Sequence, residues 1–332
     1  MVIRKKAFAR AGLVGNPSDG YFGKTISFIV RNFSAEVVLY ETPELRIEPN
    51  DRDHSVFNSI QALSKDVVQF GYYGGLRLLK ATVKRFHDYC TRENIPLHER
   101  NFTLRYQSNI PPQVGMAGSS AIICACWRAL TDFYHIDIPQ HIQPNEILGV
   151  ENDELSIPAG LQDRVIQVYE GVVFMDFNRG HMEKLGYGIY EEIDPALLPP
   201  LFVAYTKKLS EGTEVFHNDI RGRWKRGERD VVSAMYQWAN LAERVREYLL
   251  AGRGREIGPL LNENFDLRRR LYRISEGNLE MVEAARAVGA SAKFTGSGGA
   301  IVGTYEDEAM FSRLEQVFEP MGIAVFKPQI LP

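Results

Sequence analysis

Cysteine is scarce in this chain of 332 residues: Cys90, Cys124 and Cys126 are all it has. An odd number at no framework spacing argues against a disulfide scaffold and suggests reduced thiols in a cytosolic protein. Cys124 and Cys126 lack a CxxC spacing and have no histidine nearby, so core packing explains them better than a metal site. The seven histidines, among them His54, His87 and His217, show no HxxxH spacing. No apolar run approaches the ~20 residues that a membrane helix needs. The opening MVIRKKAFARAG is basic, but no apolar stretch follows it, so it does not read as a secretory leader. Nor are Lys and Arg gathered in blocks. With a net charge of −3, the composition gives no footing for a nucleic-acid or membrane-surface partner.

What is present is ordinary globular material, 45% hydrophobic and 24% charged, enough for one large domain or two moderate ones. Thr25 to Val30 and Ala35 to Tyr40 read as strands, as do Phe102 to Gln107, Val172 to Phe177 and Leu201 to Tyr205. Leu76, Leu79, Val83 and Phe86 recur at three- and four-residue spacing and predict a helix over 75–90. Further helices are expected over 119–133, 146–155, 230–250 and 279–288, and a strand, a helix and a strand over 292–326. A proline-rich break near Pro195 to Pro200 divides the chain into expected lobes of 1–196 and 197–332, each mixing helix and strand.

The most informative stretch runs from Ile110 to Ile122, IPPQVGMAGSSAI. Gly115 and Gly118 permit a tight turn and close approach of a ligand, and Ser119 or Ser120 then opens a helix. The first N–H groups of a helix have no internal partner and face the positive end of its dipole, so this loop is a ready anion site. A hydroxyl there can also ligate Mg²⁺. Taken alone, the stretch could equally be an ordinary loop with a serine cap. It is not a Walker A loop, since no Gly-Lys-Ser/Thr follows. A second glycine-rich loop, KFTGSGGAIV, starts at Lys293, and a polar turn, NPSDG, starts at Asn16 just after RAGLVG. Each could be plain turn chemistry, but three such loops exceed what connections usually demand.

Together these stretches resemble the GHMP kinases. Pro112 to Ala121 resembles the second motif of that family, PxxxGLGSSAA, with Met116-Ala117 departing from its Gly-Leu portion. Lys293 to Gly299 resembles the third motif and Arg10 to Tyr21 the first. In galactokinases the first motif holds a Glu-His pair; here Asn16 and Pro17 replace it, which argues against galactose. The longer strings from Leu13 to Lys24, Gly71 to Arg77, Pro158 to Arg164 and Asn264 to Arg270 resemble the plant glucuronokinase branch. The similarity spans roughly residues 7 to 303.

The resemblance implies a two-lobed α+β GHMP kinase fold, with an N-terminal lobe like the second domain of ribosomal protein S5 and a ferredoxin-like C-terminal lobe. It implies ATP and Mg²⁺ as cofactors and phosphorylation of the anomeric hydroxyl of glucuronate, a small-molecule sugar acid. Galacturonate, galactose or another hexose as substrate, and a non-catalytic sugar or ATP sensor on the same fold, stay open. Asp163 matches the catalytic aspartate and Arg10 its basic partner. Ser120 and Glu151 match the metal ligands, although neighbouring Asp153 and Glu154 could be confused with Glu151. Pro112, Gly115, Ala117, Gly118, Ser119, Ser120, Gly296 and Gly298 would surround the nucleotide. Asp19 and Asn16 would meet the sugar. Arg164, ahead of Lys24 and Lys293, is the first candidate for the substrate carboxylate, because a guanidinium can grip it with two hydrogen bonds. The triplet Arg268 to Arg270 is either an exposed helix face, the favoured reading, or reaches the cleft.

Overall fold

The computed structural model describes residues 1–50, 53, 58–61, 63–64, 74–207 and 214–331, with side chains from residue 220 onward in the last stretch. His54, the side chain of His217 and residues 71–73 of the string from Gly71 to Arg77 therefore lie outside what is described. The chain forms two compact units, neither of which is a single segment. One comprises Met1–Ala9, Phe33–Ile110 and Gly118–Val168; the other comprises Arg10–Asn32, Pro111–Ala117 and Tyr169–Pro332.

Two long strands, β1 (Val2–Val14) and β2 (Lys24–Thr42), pair with each other and contribute residues to both units. β1 is a strand that the hydrophobic pattern did not announce. The two short strands expected over 25–30 and 35–40 are one continuous β2, because the intervening Arg31 to Ser34 stay extended. In the first unit β2 pairs antiparallel with β4 (Asn101–Ser108), from Ala35 opposite Ser108 to Thr42 opposite Asn101. β3 (Arg46–Ile47) adds to β4 in parallel.

The helices of this unit are α1 (Gly75–Arg92), α2 (Gly118–Tyr134), α3 (Gln143–Gly149) and α4 (Leu161–Tyr169). α2 is buried on nearly every side, with Ile123, Cys124, Trp127, Leu130 and Phe133 at 0–1% exposure. A helix apolar all round belongs in a core. Phe86 of α1 meets Trp127 edge-on at 5.3 Å, and Phe102 of β4 meets Phe133 at 5.1 Å, both favourable aromatic geometries. The cysteines are part of this packing. All three are buried and free, and burial pushes the Cys90 thiol up to about 11. The helix expected over 146–155 is α3 followed by a wider π-turn over Val150–Glu154, and that turn carries Glu151.

In the second unit Lys24 to Phe28 of β2 pair antiparallel with β5 (Val172–Asp176), which pairs with β6 (Ile189–Ile193) beyond the short α5 (Arg179–Leu185). A separate antiparallel sheet holds β7 (Leu201–Thr206) with helices α6 (Glu214–Lys225), α7 (Arg229–Leu250), α8 (Gly258–Leu271) and α9 (Glu276–Ala287) after it in the chain. β8 (Lys293–Phe294), β9 (Ala300–Thr304), α10 (Glu308–Phe318) and β10 (Ile323–Phe326) complete it. Its order is β10-β7-β9-β8. Counted along the chain that is 4-1-3-2, the ferredoxin-like arrangement that the resemblance implied. Phe202, Phe265, Phe294, Ile301, Leu314 and Phe318 form its core. α7 buries Val231, Met235, Trp238, Leu241, Val245 and Leu249, the face expected from spacing.

Candidate active site

The first unit gathers a cluster of acidic, hydroxyl and guanidinium side chains around Glu151. Glu151 leaves the π-turn after α3, and two hydrogen bonds shape the chain beyond it. The Ile157 N–H donates to the Glu151 carbonyl at 2.8 Å, and the Ala159 N–H donates to Asn152 Oδ1 at 2.9 Å. This folds residues 152 to 160 into a tight loop that delivers Asp163 and Arg164 in the first turn of α4. Ser119 Oγ, in the first turn of α2, donates to Glu151 Oε1 at 2.9 Å. The hydroxyl on Glu151 is thus the one before the serine to which the motif points. Ser120 lies ~100° further round the helix and is fully buried.

Glu151 is 2% exposed, so its charge needs a partner. Arg164 supplies it: Nη2 donates to Glu151 Oε2, with both side chains under 5% exposed. Arg164 Nη1 donates to the Gly160 carbonyl at 2.8 Å and stands 3.5 Å from Asp163 Oδ2. Asp163 itself is 22% exposed, open enough to meet a ligand. Asp153 and Glu154, the neighbours that could be mistaken for Glu151, turn outward. Asp153 pairs with Arg85 at 2.9 Å and Glu154 with Lys84 at 3.0 Å.

The second unit brings the three glycine-rich stretches together. Arg10 donates from Nη1 to the Gly115 carbonyl at 2.5 Å and to the Thr295 carbonyl at 3.2 Å. The Gly12 N–H donates to the Thr295 carbonyl at 2.8 Å. At Gly115, φ is +68° and an added Cβ would stand 2.9 Å from the Gly298 carbonyl. At Gly296 it would stand 2.6 Å from the Gly115 carbonyl. Only glycine allows the second and third loops to touch backbone to backbone in this way. Ala117 takes φ +62°, a left-handed value uncommon outside glycine and typical of functional loops. Pro112 and Gln113 complete the turn ahead of them.

Two residues of α8 hold these loops. Asn264 accepts from the Gly15 N–H at 2.7 Å and donates to the Asn16 carbonyl at 3.2 Å. Arg268, one helical turn on, donates to the Gly296 and Ser297 carbonyls at 2.8 and 3.3 Å and lies over the rings of Tyr272 and Phe294. Arg268 is therefore not part of an exposed face; only Arg269 and Arg270 are exposed. The signal was available: positions four apart share one face of a helix.

Lys293 is 1% exposed and donates to the Gly12 carbonyl at 2.6 Å and to Asn16 Oδ1 at 2.5 Å. Burial, with Arg268 and Arg10 nearby, drives its pKa well below the usual lysine value. Arg10 and Arg268 thus make a buried positive pair beside the loops, a field that favours an anion next to them. Asp19, half-buried in the turn Ser18–Tyr21, acts on Arg268, Tyr21 and Tyr272 through its charge. Lys24 is engaged by Glu243 and, at 3.3 Å, by Asp176. All three bases considered for a substrate carboxylate, Arg164, Lys24 and Lys293, are thus bonded within the protein.

The donors present fit a nucleotide and Mg²⁺. The N–H groups at the start of the 17-residue α2 suit phosphate. Glu151 and Ser119 offer hard oxygens. Among the described residues no group of three or more His, Cys, Asp or Glu could hold a metal alone. Mg²⁺ is commonly bound by one or two carboxylates together with substrate phosphates.

The family models agree with this construction. GHMP kinases N terminal domain matches residues 77–171 and GHMP kinases C terminal matches residues 245–319. The chain belongs to the GHMP kinases, phosphotransferases that use ATP. It is 47% identical over 306 residues to Glucuronokinase 1 of Arabidopsis thaliana, covering 90% of this chain and 84% of that protein. It is 45% identical over 339 aligned positions to Probable glucuronokinase 2 of the same plant, covering 100% and 92%. Among solved structures, Methanococcus jannaschii mevalonate kinase superposes with a TM-score of 0.72 at 18% identity, covering 100% of this chain and 98% of that one. Lactococcus lactis galactokinase complexed with galactose gives 0.75 at 16% identity, covering 99% and 93%. These last two likenesses speak for the fold alone. Among the described residues no helix is long and apolar enough to cross a membrane.

Proposed function

We propose that this chain phosphorylates the anomeric hydroxyl of D-glucuronate with ATP and Mg²⁺, giving glucuronate 1-phosphate and ADP. The observation that carries this is the 45–47% identity to two proteins named glucuronokinase, over 84% and 92% of their lengths. The lobes expected at 1–196 and 197–332 are kept in this reading, since the two matched family segments fall on either side of residue 196.

Phosphoryl transfer asks the protein for positioning and charge rather than covalent chemistry. Asp163 accepts the proton of the attacking hydroxyl, or orients it. Arg10 stabilises charge on the group in transfer. The N–H groups of Gly118 and Ser119, with the turn from Pro112 to Ala117, hold phosphate oxygens, and Gly296 and Gly298 line the loop opposite Gly115. Glu151, with Ser119 and Ser120 at the start of α2, holds the metal. Asp19 and Asn16 bind sugar hydroxyls. Bound Mg-ATP supplies the phosphoryl group and a dication against its charge.

The test is phosphorus NMR of the product from glucuronate and ATP, with and without a chelator. A phosphate on the anomeric oxygen, formed only with divalent metal, is expected. A phosphate elsewhere, full activity under chelation or a preference for glucose overturns the reading.

A further inference from the structure

The chemistry proposed above leaves one buried group without a task. Arg164 sits beside the base Asp163 and spends its Nη2 edge on Glu151, the residue assigned to the metal. A carboxylate as buried as Glu151 cannot be left alone when no metal is present, because an unpaired charge out of water is costly. The Ser119 hydroxyl, at 2.9 Å, is a neutral donor and does not balance that charge. Arg164 does. Its other edge is anchored independently, by the Gly160 carbonyl at 2.8 Å, so the guanidinium can release Glu151 and still be held.

Resting on the reading of Glu151 as the metal ligand, we propose that Arg164 is a stand-in cation, which neutralises Glu151 in the metal-free enzyme and competes with the divalent ion for the same carboxylate oxygen. Metal arrival displaces the Nη2 edge. The charge of Arg164 then stays with the Gly160 carbonyl and with Asp163, already 3.5 Å away. Arg164 is thus a positioning residue whose own placement follows occupancy of the metal site.

The test titrates Mn²⁺ into the full chain with saturating ADP, read by electron paramagnetic resonance, for wild type, Arg164→Gln, Arg164→Lys and Glu151→Gln. Arg164→Gln removes the competitor, and Mn²⁺ binding is expected to tighten by about tenfold or more, the equivalent of ~1.4 kcal/mol. Its melting temperature falls in the metal-free state and the gap to wild type narrows with Mn²⁺. Affinity equal to or weaker than wild type makes the pair a fixed brace and overturns the proposal. Should Arg164→Gln be too unstable to titrate, Arg164→Lys carries the test. Its shorter side chain loosens the grip on Glu151, so affinity must rise, and no rise rejects the idea. If Glu151→Gln binds Mn²⁺ as wild type does, the proposal falls with the metal role of Glu151. A glucuronate 1-phosphate signal from the wild-type enzyme would still uphold the activity.

Discussion

Asp163 is the residue on which the proposed activity turns. Replacing it with Asn keeps its size and removes the base. Positioned proton transfer contributes ~10²–10⁴ in rate, so turnover should fall by about that much. Nucleotide binding should persist, because Asp163 is not one of the loop groups assigned to phosphate. Steady-state kinetics alongside calorimetric ADP binding would check both, and near wild-type turnover would remove Asp163 from its role. Glu151 is the contrasting case. It was legible only by matching a motif, and its neighbours Asp153 and Glu154 were chemically indistinguishable in the string. Burial separates them: Glu151 has a side chain 3% exposed, whereas Asp153, at 61%, pairs with Arg85.

At the scale of elements, α8 is the part that the sequence revealed least. Its residues Asn264 and Arg268 fix the first and third glycine-rich loops, yet a basic triplet on a helix reads by default as a solvated face. Arg268→Met should cost ~1–3 kcal/mol, since two carbonyls lose a charged donor. Arg270→Met, on the exposed side of the same helix, should stay within ~0.5 kcal/mol. Urea denaturation of the two variants compares them directly, and equal losses would refute the brace. By contrast, α1 and α7 were legible because a 3.6-residue period survives in their apolar positions. β2 read as two strands because polar residues interrupt its middle. The hydrogen-bond register that makes it continuous is a tertiary property, invisible to local pattern. The same holds for Ser119 and Ser120: both were visible, but which hydroxyl meets Glu151 depends on the rotation of α2.

For the molecule as a whole, Lys293 ties stability to pH. Its pKa is lowered on folding, so between the folded and unfolded values the unfolded chain binds more protons. Stability must then rise with pH across that window, because the slope follows the excess of protons in the unfolded state. Below pH 9 the thiol of Cys90, whose pKa is raised by burial, does not yet oppose the trend. Urea midpoints should therefore climb toward pH 9 in wild type, and Lys293→Met should flatten the climb. A wild-type profile no steeper than that of the variant would show that Lys293 is not the source.

The discontinuous make-up of the second unit has a consequence for how this enzyme can be cut and recombined. Arg10 and Gly12 bond to Thr295, and Gly15 and Asn16 to Asn264. A piece ending at residue 196 would keep the bond from Arg10 to Gly115 but lose Thr295 and Asn264, which hold the first stretch. The C-terminal piece would keep the bonds of Arg268 to Gly296 and Ser297 but leave Asn264 and Thr295 without Gly15, Asn16, Arg10 and Gly12. Substrate preference therefore cannot be traded between relatives by swapping halves as cassettes. A chimera joined at 196/197 should fold only when Arg10 to Asn32 and Pro111 to Ala117 come from the same parent as the C-terminal segment.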